Sequence, residues 1–180
     1  MSLSERPERP RSVPPPPPSN PPSVEILAEI GLFGGLSTEV LADFTQRLGV
    51  QQLEPGETVF REGEAGRELY VVLEGELEVL KGGRTPHRET RVAVMGPGDW
   101  FGEMSILDVM PRSATVRVLA LTRLLRLSSS DLDALYRRDV KEYAILVLNI
   151  AREMSRRLRV ADAILADVMA NLSRTYTRTR

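Results

Sequence analysis

The stretch Trp100-Phe101-Gly102-Glu103-Met104-Ser105-Ile106-Leu107, followed by Pro111-Arg112-Ser113-Ala114-Thr115-Val116, decides how this chain is read. Gly102 carries no side chain, so the backbone there can approach a ligand closely. Glu103 to Leu107 suits a single helical turn, whose free N–H groups favour an anion. Arg112 offers a planar fork of donors matched to two oxygens of a phosphate. Ser113 adds a hydroxyl donor, and Glu103 is a strong acceptor suited to a sugar hydroxyl. One short segment thus pairs an acceptor for a sugar with a cation for a phosphate.

Outward from this segment, short β-rich runs alternate with glycine turns. The runs are Thr58–Phe60, Leu69–Leu73, Leu77–Leu80, Arg91–Met95, Ala114–Leu119 and Arg123–Leu127. Pro55-Gly56, Glu62-Gly63, Glu74-Gly75, Gly82-Gly83 and Gly96-Pro97-Gly98 punctuate them. That spacing predicts a β-sandwich or barrel. Residues 81–90 read as a hairpin tip, which makes His87 a surface residue. Asp99 reads as a turn residue, and Trp100 and Phe101 as core aromatics.

Helices flank the β region. Val24, Ile26, Leu27 and Ile30 fit a short amphipathic helix ending at Gly31. Ser37 can cap a second helix with Val40, Leu41, Phe44 and Leu48 on its apolar face. After the β region, Ser130 or Asp131 can cap a helix through Arg138. A longer helix follows from Val140. In it Val147, Ala151, Met154, Leu158, Ala161, Leu165, Val168 and Leu172 repeat with alternating spacings of four and three. Such a heptad seam argues for a helix pair between two chains. The competing reading packs the whole helix on its own β-domain. The heptad pattern leaves the orientation of the pair open.

The ends are different in kind. Nine of the 13 prolines fall within the first 22 residues, including Pro14 to Pro18. With almost nothing apolar beside them, residues 1–22 read as a disordered, proline-rich tail. Residues 23–139 form the β-domain with its flanking helices, 140–172 the long helix, and 173–180 a polar tail.

Composition excludes several function classes. The chain has no cysteine and one histidine, so thiolate metal sites and metal centres needing several imidazoles are out of reach. A serine–histidine nucleophile is not credible around a loop histidine. The formal net charge of −1 gives no support to a strongly basic nucleic-acid binder. No apolar run approaches the roughly 20 residues a membrane-spanning helix needs. The expectation is a cytoplasmic protein with no membrane partner, no catalytic residues, no metal and no prosthetic group.

Residues 101–114 resemble the cyclic nucleotide-binding domain shared by catabolite activator proteins, protein kinase regulatory subunits and nucleotide-gated channels. A second stretch fits that family: Val59-Phe60-Arg61-Glu62-Gly63-Glu64-Ala65-Gly66, then Leu69-Tyr70-Val71-Val72 and Gly75. The resemblance covers roughly residues 24–160. It implies an α+β fold: a β jelly-roll flanked by N-terminal helices and a long C-terminal helix. It further implies that Glu103 binds the ribose 2′-hydroxyl and that Arg112 pairs with the cyclic phosphate. Backbone groups at Gly102, Met104, Ser105, Ser113 and Ala114 complete the ligand site, with Val71 and Leu73 beside the base.

The ligand implied is cyclic AMP or cyclic GMP, acting as a regulatory ligand; a cyclic dinucleotide stays open. The long helix then reports occupancy to an unknown protein partner, with Tyr143 to Arg152 as lid contacts and a hinge before Val140. Activators of this family append a helix-turn-helix, for which the chain after the seam leaves no room, so no direct DNA binding is expected. The alternative function is a dimeric adaptor whose nucleotide fold is degenerate and unliganded.

Overall fold

The computed structural model describes residues 20–82 and 89–177, with side chains described through residue 171. The proline-rich segment up to residue 19, the hairpin tip with His87, the Leu172 side chain and residues 178–180 lie outside the described residues.

Serine caps set the helical starts. Ser23 accepts from the Ile26 N–H to open α1, Val24–Glu29, and Ser37 accepts from the Val40 N–H to open α2, Thr38–Arg47. A 3₁₀ turn, Gly31–Phe33, joins them. Six strands follow: β1 Gly49–Leu53, β2 Thr58–Phe60, β3 Glu68–Gly82, β4 Glu89–Met95, β5 Trp100–Phe101 and β6 Thr115–Ser128. The one-turn helix α3, Met104–Leu107, lies between β5 and β6.

All strand pairings are antiparallel, in the order β1-β6-β3-β4, with β2 also on β6 and β5 also on β3. The roll is organised by two long strands, β3 and β6, paired along most of their length. Four of the runs read from sequence therefore merge into two strands. Glycine punctuation at Glu74-Gly75 marks a bend, not a chain reversal: Gly75 has φ +94° and the β3–β6 register shifts there. A Cβ at Gly75 would sit 2.3 Å from the Thr122 hydroxyl, so only glycine admits this crossing. β1 was absent from the predicted runs, because Gln51 and Gln52 interrupt its apolar pattern.

Alternation along β3 and β6 builds two cores. Leu69, Val71, Leu125 and Leu127 face outward to the helices and pack with Leu27, Phe33, Phe44, Leu135, Leu146 and Ile150. Tyr70, Val72 and Leu124 face inward and pack with Phe60, Leu77, Met95, Phe101, Val116 and Val118. Each fully buried Leu or Phe contributes about 1.5–3 kcal/mol. Trp100 and Phe101 are both buried, one in each core.

Helix α4, Ser129–Arg138, starts at a capping box in which Ser128 and Asp131 satisfy each other's backbone N–H groups. The cap lies two residues before the predicted Ser130, and Asp131 is its partner at the third helical position. Asp139 alone separates α4 from α5, Val140–Thr177, and its carboxylate accepts from the N–H groups of Lys141 and Glu142. α5 runs five residues beyond the predicted end at Leu172. Its first half is lashed to the N-terminal helices by polar contacts. The Glu142 carboxylate accepts from the Ser37 N–H at 3.1 Å, and the Asn149 amide donates to the Leu32 and Gly34 carbonyls.

The seam divides along the helix. Val147 is half-buried, and Met154 packs against the helical core. Beyond Arg157 the helix leaves the domain. Leu158, Val160, Ile164, Leu165, Val168 and Met169 are exposed, Leu158 at 63% and Leu165 at 60%. Among the described residues no helix is long and apolar enough to cross a membrane.

Candidate functional site: a buried arginine in a cradle

The site begins where β5 leaves β3. Tyr70 pairs with Phe101 and Val71 with Trp100, which fixes the cradle to the middle of the sheet. Gly102 then turns with φ +86°. A Cβ there would lie 2.7 Å from Arg112 Nη1 and 2.8 Å from the Glu68 carbonyl oxygen, so the position requires glycine on two counts.

Arg112 is 4% exposed. Burying a charge costs several kcal/mol unless it is paired and hydrogen-bonded. Here the offset is extensive. Nη1 donates to the Glu68 carbonyl at 2.7 Å, the Ser105 hydroxyl at 2.7 Å and the Gly102 carbonyl at 3.2 Å. Nη2 donates to the Glu68 carboxylate at 3.2 Å. The guanidinium lies over the Phe60 ring, 4.1 Å from its centroid. Burial pushes the guanidinium pKa below its usual value, opposed by the charges of Glu68, Glu64 and Glu103 nearby.

The second sequence signature holds the same residue. The Arg112 N–H donates to the Glu64 carbonyl at 2.8 Å, and the Gly63 N–H donates to the Arg112 carbonyl at 2.9 Å. A Cβ at Gly66 would lie 2.2 Å from Arg112 Nε. The turn between β2 and β3 therefore exists, in this site, to seat one guanidinium. Nε is buried and has no hydrogen-bond partner among the described residues. The residue also lines a cavity, so an anion held there would meet a guanidinium, which fits a phosphate oxygen.

Glu103 is 7% exposed and does not pair with Arg112. Its carboxylate lies 3.5 Å from Nη1 of Arg157 on α5, whose Nη2 donates to the Trp100 carbonyl at 2.7 Å. Glu153 accepts from Arg157 and Arg156. Burial raises the Glu153 pKa, but the hydrogen bonds and the positive charges of Arg156 and Arg157 together outweigh it and hold the group below the ordinary carboxylate value. On the far side Lys81 donates to the Ser113 carbonyl and to Glu62, tying the end of β3 to the end of the cradle.

These groups surround a cavity of about 400 Å³, within the ~300–1,000 Å³ range of small-molecule sites. Its apolar wall comes from Phe60, Val79, Ala93, Met95 and Val116. Gly102, Glu103, Met104, Ser105, Arg112, Ser113 and Ala114, all named from sequence, line it together. Val71 and Leu73 do not: both face the helical core, since alternation sends odd-numbered residues of early β3 outward. Past the register shift at Gly75 the alternation reverses, and Val79 supplies the wall instead. Asp99 accepts from the Gly96 N–H, as a turn residue does, and also borders the cavity.

From α5 the cavity residues are Glu153 and Arg157. The expected lid contacts at Tyr143 to Arg152 instead join the helical core: Tyr143 meets Tyr136 of α4, Asn149 bonds the Leu32 and Gly34 carbonyls, and Leu146 and Ile150 are buried in that core. Arg157 gave no local signal, because its partner Glu103 is 54 positions away. No group of three or more metal-ligating side chains occurs among the described residues.

Fold and site define a β-roll whose cavity is walled by a buried arginine and a buried glutamate. Comparison with known proteins agrees. Residues 50–139 match the family described as "Cyclic nucleotide-binding domain". A CRP-like cAMP-activated global transcriptional regulator of Mycobacterium tuberculosis is 36% identical over 146 residues, covering 81% of this chain and 62% of that protein. The N-terminal domain of a transcriptional regulator from Streptomyces coelicolor superposes with TM-score 0.65 at 31% identity, over 75% of this chain and 93% of that one. A cyclic nucleotide-binding domain from Methylobacillus flagellatus superposes with TM-score 0.71 at 28% identity, over 80% of this chain and 81% of that one. The chain belongs to the cyclic nucleotide-binding domain family, and its fold is that family's jelly-roll. It spans less than two thirds of the length of the curated mycobacterial relative.

Proposed function

We propose that this protein binds a cyclic nucleotide monophosphate, cyclic AMP or cyclic GMP, as a regulatory ligand and performs no chemistry on it. The observation that carries this reading is Arg112: a buried guanidinium, seated by two glycines and an aromatic ring, in the wall of a cavity of about 400 Å³. Arg112, with backbone N–H groups near Gly102 to Ser105 and at Ser113 and Ala114, holds the cyclic phosphate. Glu103 accepts from the ribose 2′-hydroxyl. The apolar wall takes the base. The cAMP-activated relative of Mycobacterium tuberculosis supports the same ligand class.

Regulation follows from α5. Arg157 links this helix to Glu103 and to the Trp100 carbonyl, so a ligand at Glu103 changes what the helix contacts. A ligand shifts the helix only by as much as it binds one arrangement better than the other. The exposed apolar stripe beyond Arg157 pairs with a second copy, and the pair presents occupancy to a protein partner in the cytoplasm. A second reading, an adaptor with an unliganded pocket, draws on the Arg112–Glu68 contact, which already satisfies much of the cation.

A thermal-shift and titration panel separates the two. Cyclic AMP, cyclic GMP, cyclic dinucleotides and linear AMP are each added to the full chain. Stabilisation by a cyclic mononucleotide, and not by linear AMP, supports the receptor. No shift with any of them supports the adaptor.

A further inference from the structure

Three carboxylates, Glu64, Glu68 and Glu103, lie near the charge of Arg112. They are not equivalent. Glu103 is engaged by Arg157, and the Glu64 carboxylate accepts from the Arg61 N–H. Glu68 alone, among the described ion pairs, touches the guanidinium, at 3.2 Å from Nη2. The contact is fixed from both ends. The Glu68 carbonyl accepts from Nη1 of the same arginine, and its carboxylate also accepts from the Arg67 N–H. Glu68 opens β3, whose pairing with β6 holds its backbone in place.

We infer that Glu68 sets the ligand affinity of the cradle by competing, as a built-in anion, for the cation that receives the phosphate. The inference rests on the reading that Arg112 receives a cyclic phosphate. Its physics is simple. With Glu68 on Nη2, the pair is neutral before any ligand arrives. A phosphate at Arg112 then adds a second negative charge within a few ångströms of the first. Two like charges at that range, in a partly buried setting, repel appreciably. The Glu68 side chain is 30% exposed, so solvent screens part of this repulsion. The residue therefore weakens binding without abolishing it. It keeps the arginine seated when the cradle is free and lowers the retention of ligand once it is filled. A receptor that must release its ligand as the concentration falls gains from such a device.

A merely structural role predicts the opposite. If Glu68 only positions Arg112, its removal weakens both fold and binding. The competing-anion role predicts opposite signs for the two. Glu68→Gln keeps an oxygen able to accept from Nη2 and deletes the charge. Isothermal titration with cyclic AMP and cyclic GMP, and thermal melts without ligand, are run on wild type and Glu68→Gln of the full chain. The expected result is roughly tenfold tighter nucleotide binding with an unchanged or lower melting temperature in the absence of ligand. Binding that appears in Glu68→Gln where wild type shows none supports the inference equally. Wild-type binding that is unchanged or weakened in Glu68→Gln overturns the inference and leaves the receptor reading intact. Absence of binding in both proteins overturns both.

Discussion

The cradle and the distal half of α5 break the usual rule of burial in opposite directions. Around Gly102 the molecule buries what normally stays wet: Glu103, Ser105 and Arg112 are all buried. Beyond Arg157 it exposes what normally stays dry: Leu158, Ile164, Leu165 and Val168 all stand in solvent. Buried polar groups and exposed large apolar patches are the informative exceptions in a soluble fold. In the cradle, Glu103, Ser105 and Arg112 each find a partner within the chain. On the helix, nothing within the described chain covers the stripe. A single 38-residue helix joins the two regions, and Arg157 is the contact nearest their boundary.

Breaking the cradle should have the largest effect. Arg112→Ala removes the cation and leaves Glu68 without its partner, and should cost about 2–5 kcal/mol of nucleotide binding by calorimetry. Breaking the helix side comes next. Leu158→Asp with Leu165→Asp forfeits about 1.5–3 kcal/mol for each leucine that a helix pair would bury. Light scattering should show a monomer where wild type is a dimer, with nucleotide affinity held within about twofold. Gly66→Ala sharpens the cradle's side of the contrast. Its methyl would overlap Arg112 Nε, and overpacking of this kind costs about 1–3 kcal/mol. Affinity should fall by about tenfold while the helix pair persists. The smallest effect belongs to neither region. Ser128→Ala removes the capping box of α4 and should cost about 1 kcal/mol of stability in denaturant melts, with binding and oligomeric state unchanged.

The cradle was legible in the sequence because its chemistry is local. Gly102 to Ser105 and Arg112 to Ala114 lie within 13 residues, and all of them line one cavity. The cap at Ser37 was legible for the same reason. What escaped depends on distance. Which face of β3 meets the cavity is decided by the bend at Gly75, so Val71 and Leu73 were placed in the site and Val79 was not. Gly66 stood in a recognised motif, but its purpose appears only when Arg112 arrives from 46 positions away to fill the space a Cβ would take. Arg157 and Glu68 carry no motif of their own. Their meaning lies in what the fold sets beside them.

The central claim is that the cradle receives a cyclic nucleotide through Arg112. The most direct test is calorimetric titration of cyclic AMP and cyclic GMP into the wild-type chain, with Arg112→Ala alongside. The expected result is saturable binding of at least one of them at one site per chain, lost or weakened by a hundredfold or so in Arg112→Ala. No binding of either nucleotide to the wild type, or equal affinity in the two proteins, would contradict it.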